Sequence, residues 1–153
     1  DIGKKLGIGA NMKQLVRTKV GIFTDKNWHS LQDLKDAYEF YKEGNEEEIK
    51  KIILPFENAV EHLKKIWVLD TTVDALCHGA PLYINGISKL NDQINKEDLV
   101  ATFTLKNELI CIGNAEISSD DMIKEKRGIA VKNNKVFMPC NVYPKWKIDT
   151  LSK

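Results

Sequence analysis

From residue 64 onward, short apolar stretches alternate with turn-forming residues, and this pattern limits the fold more than any other feature of the sequence. The stretches 99–105 and 108–117 each have the length of one strand, and Lys106 and Asn107 separate them, which predicts a β-hairpin. We expect five or six short strands and two small helices here. Such elements form a compact, mostly antiparallel barrel or sandwich.

Two local assignments within this β-rich part depend on turn and cap residues. The stretch 128–138 is predicted to form two strands around a turn at Asn133 and Asn134, because asparagine tolerates the left-handed backbone of such turns. A small helix before Gly79 is predicted to begin after Thr71 or Thr72, since threonine is a good N-cap.

The residues before this part have a helical pattern instead. Residues 1–6 resemble the end of a helix, and residues 12–23 predict a helical turn that leads into a strand, with Gly21 as a bend. Ser30 with Asp33 three residues later predicts a capped helix. The sequence therefore predicts an α+β chain with a boundary near residue 64.

The distribution of charge is uneven although the net charge is only +1. Residues 1–29 carry six basic and two acidic side chains, residues 30–63 four and nine, and residues 64–153 thirteen and eleven. Two basic parts around an acidic one are compatible with a site for a polyanion, although solvated lysine-rich surfaces would give the same pattern. No apolar run approaches the roughly 20 residues of a membrane-spanning helix.

The three cysteines and three histidines do not form a recognisable metal or disulfide pattern. The cysteines are widely spaced and odd in number, so we expect small buried or half-buried thiols. No histidine pair has the helical spacing of a zinc site. The sequence therefore predicts no metal and no cofactor.

Long stretches of the sequence resemble known families. The segment 66–139 resembles a PUA domain, an RNA-binding module, on the stretches VDALCHGA, GISKLNDQINKEDLVATFTLKNELICIGNA and GIAVKNNKVFMP. The flanking stretches LPFENAVEHL and VYPKW are similar to those of archaeal members of the dyskerin family. The stretch GIGANMKQLVRTKVGIF resembles the end of a TruB-type pseudouridine synthase domain.

This resemblance implies a division into two parts and the absence of the catalytic machinery. Residues 1–63 are expected to be the C-terminal edge of a catalytic domain with connecting helices, and residues 64–153 a PUA pseudo-barrel. The catalytic Asp of the family belongs to a G-x-L-D-x-x-x-T-G segment that this sequence lacks, so no catalytic residue is expected. Leu15 and Arg17 would form the edge of the uridine pocket, although Val16 and Val20 depart from the family pattern.

The RNA-binding residues follow from the resemblance and from the basic residues near the C-terminus. PUA domains hold RNA at the first helix and the glycine loop after it, which implies His78, Gly79, Ala80, Pro81, Leu82 and Lys89. Without the resemblance, His78 would be read as a helix-end residue that bonds a backbone carbonyl. Four basic residues are candidates for phosphate contacts: Lys126, Arg127, Lys132 and Lys135.

The implied function is RNA-guided pseudouridine synthesis in an H/ACA particle of the cytoplasm. The resemblance implies guide RNA ending in ACA, target ribosomal RNA and small H/ACA proteins as partners, including a zinc-ribbon protein on the catalytic domain. An alternative is a stand-alone PUA adaptor that binds RNA without catalysis. A weaker one is an interaction module in which the acidic helices of 30–63 hold a basic protein.

Overall fold

The computed structural model describes residues 1–145 and divides them into two compact units, Asp1–Leu54 and a second unit that begins at Pro55. Trp146, the last residue of the stretch VYPKW, lies outside the described residues. No helix of residues 1–145 combines the length and the apolar character that crossing a bilayer requires. The domain boundary between residues 63 and 64 stays a prediction.

The first unit consists of short elements. They are α1 (Ile2–Leu6), β1 (Lys19–Val20), β2 (Phe23–Thr24), α2 (Leu31–Lys42) and α3 (Glu47–Ile52). The capping box predicted for α2 is confirmed: Asp33 N donates to Ser30 Oγ at 3.1 Å, and Ser30 N donates to Asp33 Oδ2 at 2.7 Å. These bonds hold the pKa of Asp33 below its usual value.

The helical turn predicted within residues 12–23 is wrong. Residues 10–18 have no regular structure, and β1 and β2 form a hairpin around Gly21, closed by a hydrogen bond from Asp25 N to Thr18 O. The β-branched residues near this turn favour an extended backbone over a helix, which explains the difference.

The second unit contains a six-stranded sheet. Its elements are α4 (Phe56–Ala59), β3 (Lys64–Val68), α5 (Asp70–Cys77), β4 (Leu82–Tyr83), β5 (Ile87–Leu90), β6 (Leu99–Phe103), β7 (Leu109–Ala115), α6 (Ser119–Lys124) and β8 (Ile129–Val136). The strand order is β4-β8-β7-β6-β3-β5, and every pair is antiparallel except β3 with β6. The predicted α+β class with a mostly antiparallel, nearly closed pseudo-barrel is confirmed.

The core of the second unit lies between α5 and the sheet. Ile66, Leu76, Leu82, Ile110 and Val131 have no exposed surface and pack in one cluster. Each of these side chains contributes about 1.5–3 kcal/mol through burial. Because α5 supplies part of this core, its C-terminal end is fixed relative to β8.

Two predicted details of the second unit are wrong. There is no turn at Asn133 and Asn134, because β8 runs through both residues and pairs with β7 across a register shift between Ile112 and Gly113. The helix α5 begins at Asp70 with Leu69 as N-cap, so Thr71 and Thr72 lie inside it. Asparagine is compatible with a strand here because the side chain of Asn133 has its own hydrogen-bond partners.

A polar cluster ties the end of the described chain to the β6–β7 hairpin. Tyr143 is buried, and its hydroxyl donates to Glu108 Oε2 at 2.6 Å. Thr104 Oγ1 donates to the same oxygen at 2.9 Å. Both bonds favour the ionised carboxylate and hold the pKa of Glu108 below its usual value.

We expect Glu108→Gln to destabilise the chain at neutral pH and to have little effect in acid. The folded pKa of Glu108 lies below its unfolded value, so its contribution is present above the unfolded pKa and is lost as pH falls through the folded pKa. Urea unfolding of both proteins at about pH 7 and at about pH 3 measures this difference. An equal difference in unfolding free energy at both pH values would contradict the ionic role of Glu108.

Candidate nucleic-acid interface

The C-terminal end of α5 presents an exposed loop that begins with His78 and Gly79. Gly79 adopts a φ of +86°, a left-handed conformation that glycine adopts without steric cost and that terminates the helix. Gly79 N donates to Leu76 O at 2.9 Å, and Ala80 N donates to Ala75 O at 3.1 Å. Both amides are therefore used to cap the helix, and these two N–H groups are not free to bind a ligand.

The His78 side chain combines a structural bond with exposure. Its Nδ1 lies 2.8 Å from the carbonyl oxygen of Asp74, which matches the helix-end geometry expected without the resemblance. The side chain is nevertheless 48% exposed, so part of the ring remains accessible. His78 can contact RNA only through that accessible part, and its role stays a prediction.

One groove lies directly beside the loop, with a volume of about 470 Å³. We call it the lysine groove, and it is lined by Gly79, Pro81, Glu116, Ile129, Lys132 and Asn133. The structure thus brings Lys132 together with Gly79 and Pro81, although more than fifty positions of the sequence separate Lys132 from Gly79. A cation beside an exposed loop suits an RNA phosphate, while the apolar lining suits a base.

Asn133 was missed as a site residue because the predicted turn removed it from the sheet. Its Nδ2 donates to Ala80 O at 2.6 Å, and its Oδ1 accepts from Cys111 Sγ at 3.4 Å. The side chain therefore joins β8 to the loop and holds the loop in place. Glu116 was also missed, and it adds an acidic residue to the lining of the same groove. No sequence signal indicates either residue.

Other predicted RNA-binding residues do not line the lysine groove. The Leu82 side chain is completely buried, so only its backbone can approach a ligand. Lys89 Nζ lies over the Trp67 ring, 4.1 Å from its centroid, which is a cation–π contact. Lys126 and Arg127 are exposed in the segment that leads into β8, and Lys135 is exposed further along that strand. Their RNA contacts stay predictions.

The predicted pocket-edge residues belong to the first unit. Leu15 and Arg17 lie in the irregular segment before β1, and the Leu15 side chain is 74% exposed. Many apolar side chains of this unit are exposed to solvent. The buried residues of its helices are Gly3 and Ala37. Large exposed apolar surfaces of this kind mark places where another part of a protein packs.

The three cysteines are free thiols. Cys77 and Cys111 are buried as expected, whereas Cys140 is exposed. Burial raises the pKa of Cys111 to about 11, so this thiol is unreactive at neutral pH. Within residues 1–145, no group of three His, Cys, Asp or Glu side chains is arranged to hold a metal ion.

The comparisons with known proteins match both parts of the chain. Residues 1–61 match the tRNA pseudouridylate synthase B C-terminal domain, and residues 64–137 match the PUA domain. The probable tRNA pseudouridine synthase B of Nanoarchaeum equitans is 53% identical over 95% of this chain and 42% of its own length. That of Pyrococcus abyssi is 53% identical over 94% of this chain and 44% of its own length.

Two solved structures have the same fold. A chain of an archaeal box H/ACA Nop10–Cbf5 complex is 51% identical, with a TM-score of 0.81 over 95% of this chain and 48% of that chain. A chain of an H/ACA ribonucleoprotein bound to a substrate RNA is 49% identical, with a TM-score of 0.79 over 94% and 46%. The chain therefore spans less than half the length of these relatives.

Proposed function

We propose that the chain, as a member of the archaeal tRNA pseudouridine synthase B family, is the C-terminal part of an RNA-guided pseudouridine synthase. This synthase would belong to an H/ACA ribonucleoprotein. In this role the second unit binds guide RNA, and its PUA fold anchors the ACA end. The observation that carries the proposal is the lysine groove, which places a cation and apolar walls beside the exposed loop after α5.

The geometry of the lysine groove supports binding of single-stranded RNA. Unpaired nucleotides are recognised by stacking, by contacts to base edges and by cations at phosphates. Pro81 and Ile129 supply apolar surface, Asn133 supplies an amide, and Lys132 supplies the charge. Lys126 and Arg127, which precede Ile129 by two or three residues, would extend the phosphate contacts beyond the groove.

The first unit has a different role in this proposal. Its exposed apolar residues would pack against the remainder of a catalytic domain, and Leu15 and Arg17 would form one edge of the uridine pocket. The particle would work in the cytoplasm without an organic or metal cofactor in this chain. Its partners would be target ribosomal RNA and small H/ACA proteins, one with a zinc ribbon on the catalytic domain.

The match of residues 1–61 argues against the alternative of a stand-alone adaptor, because that alternative requires an unrelated N-terminal part. An interaction module that holds a basic protein through the acidic helices would leave the lysine groove without a ligand. It predicts protein binding that depends on salt and no retention of RNA.

The proposal is tested with a guide RNA that ends in a single-stranded ACA. We expect the chain to bind it at least about tenfold more tightly than an RNA with this trinucleotide changed, since each stacked base contributes about 1–3 kcal/mol. We expect no pseudouridine in either RNA, because the segment with the catalytic Asp of the family has no counterpart in this sequence. Equal affinity for both RNAs in titrations at physiological salt would refute the proposed binding site.

A further inference from the structure

Two of the three cysteines meet at the C-terminal end of α5. Cys77 is the last residue of this helix, and Cys140 lies in the segment that follows β8. The Cys140 thiol donates to the backbone carbonyl oxygen of Cys77, with 3.3 Å between sulfur and oxygen, although 63 positions of the sequence separate the two residues. Because a cysteine sulfur lies at most about 4.5 Å from the carbonyl oxygen of its own residue, the two sulfurs are within about 8 Å of each other.

The segment that carries Cys140 is held on both sides of this residue. Before it, Phe137 N and Met138 N both donate to Ile110 O, at 2.9 Å and 3.1 Å. After it, the buried Tyr143 donates to Glu108 Oε2. An anchored segment keeps its thiol near the neighbouring one, so little conformational entropy is lost when the two thiols react with each other.

The two thiols differ in exposure in the way that a stepwise oxidation requires. Cys140 is exposed, whereas Cys77 is buried, with 9% of its surface exposed, so an oxidant reaches Cys140 first. Burial raises the pKa of Cys77, and the charge of a Cys140 thiolate raises it further. Oxidation of Cys140 to an uncharged group removes this second effect, and Cys77 then ionises more readily.

We infer that Cys77 and Cys140 form a reversible disulfide with hydrogen peroxide as the oxidant, and that this bond locks the segment after β8 to the end of α5. The Cys140 thiolate attacks one peroxide oxygen, the O–O bond breaks, hydroxide leaves and a sulfenic acid forms. The Cys77 thiolate then attacks the Cys140 sulfur, and the S–O bond breaks as a second hydroxide leaves. The protons of the two thiols convert both hydroxides into water, so two thiols and one peroxide give one disulfide and two waters.

The disulfide acts on the stability of the second unit and does not depend on the RNA-binding role proposed above. The loop that it closes contains β4 to β8, which are five of the six strands of the sheet. A cross-link that closes a long loop removes much of the freedom of the unfolded chain. We therefore expect oxidation to raise the midpoint temperature of thermal unfolding by about 10 °C or more.

The test treats the full chain with an equimolar amount of hydrogen peroxide. The intact mass should fall by two hydrogens, and proteolysis without reductant should release a peptide pair joined through Cys77 and Cys140. Cys111 should remain a free thiol in the same digest, because it is completely buried and its pKa is raised to about 11. Thermal unfolding of the treated chain measures the rise in midpoint temperature, and dithiothreitol should reverse it.

Two variants separate this pair from general thiol oxidation. Cys140→Ser leaves the core intact and keeps a donor for the carbonyl oxygen of Cys77, and it should abolish both the mass loss and the rise in midpoint temperature. Cys111→Ala is the matched control, since it removes the thiol outside the pair, and it should keep both responses. The inference is overturned by a sulfinic acid on Cys140 with Cys77 still free, by a bond from Cys140 to Cys111, or by a linked chain whose midpoint temperature does not rise.

Discussion

Replacement of Lys132 with glutamate should weaken the binding of guide RNA by about one to two orders of magnitude at low salt. Lys132 is the cation that lines the lysine groove, and the substitution would place a second carboxylate beside Glu116. The lost phosphate contact should also make the salt dependence of binding shallower by about one unit in the log–log slope. Titration of the same RNA at several salt concentrations measures both effects.

Two other charge variants distinguish a contact in the lysine groove from a general effect of net charge on RNA binding. Lys106→Glu makes the same change in charge at the β6–β7 hairpin, before the start of β7, whereas Lys132 pairs with Asn114 near its end. This variant should weaken binding much less. Glu116→Gln removes the carboxylate from the groove and should strengthen binding by a few fold. If Lys132→Glu and Lys106→Glu reduced the affinity for RNA equally, the RNA would not occupy the lysine groove.

The sequence predicted the fold class correctly because its signal is local. The short apolar stretches 99–105 and 108–117 correspond to β6 and β7, and Ser30 with Asp33 specified the start of α2. Each of these features depends on residues that are near in sequence. The parallel pairing of β3 with β6 is not local, and no pattern in the sequence indicates it.

The candidate site was predictable only in part, because it depends on contacts between distant residues. The asparagine pair at 133 and 134 is typical of a turn, yet the backbone there continues as a strand. The reason is tertiary: β7 supplies backbone partners for β8, and Ala80 O accepts from Asn133. Lys132 was identified from its charge, whereas Asn133 becomes a site candidate only when its contact with the loop after α5 is seen.

Gly113→Ala should destabilise the second unit by about 3 kcal/mol, more than any other glycine substitution proposed here. A Cβ at this position would lie 2.8 Å from Val131 Cγ1 and closer still to the carbonyl oxygen of Lys132. That oxygen is backbone within β8 and cannot move away without breaking the pairing of β7 with β8. The free energy of unfolding from urea titration measures the loss.

The nature of the obstacle, rather than the loss of glycine, should determine the size of this effect. Gly86→Ala brings a Cβ to 2.7 Å from Thr72 Oγ1 and 2.8 Å from Thr72 Cγ2. These are side-chain atoms rather than the backbone of a paired strand, so its cost should be somewhat smaller, about 2 kcal/mol. Gly9→Ala meets no atom within 4 Å and should be nearly neutral. Since the strand beside Gly113 carries Lys132 and Asn133 into the lysine groove, Gly113→Ala should weaken RNA binding even at temperatures where the unit stays folded. An unfolding free energy equal to that of Gly9→Ala would show that β8 can shift at this point, and the groove would then not be rigidly formed.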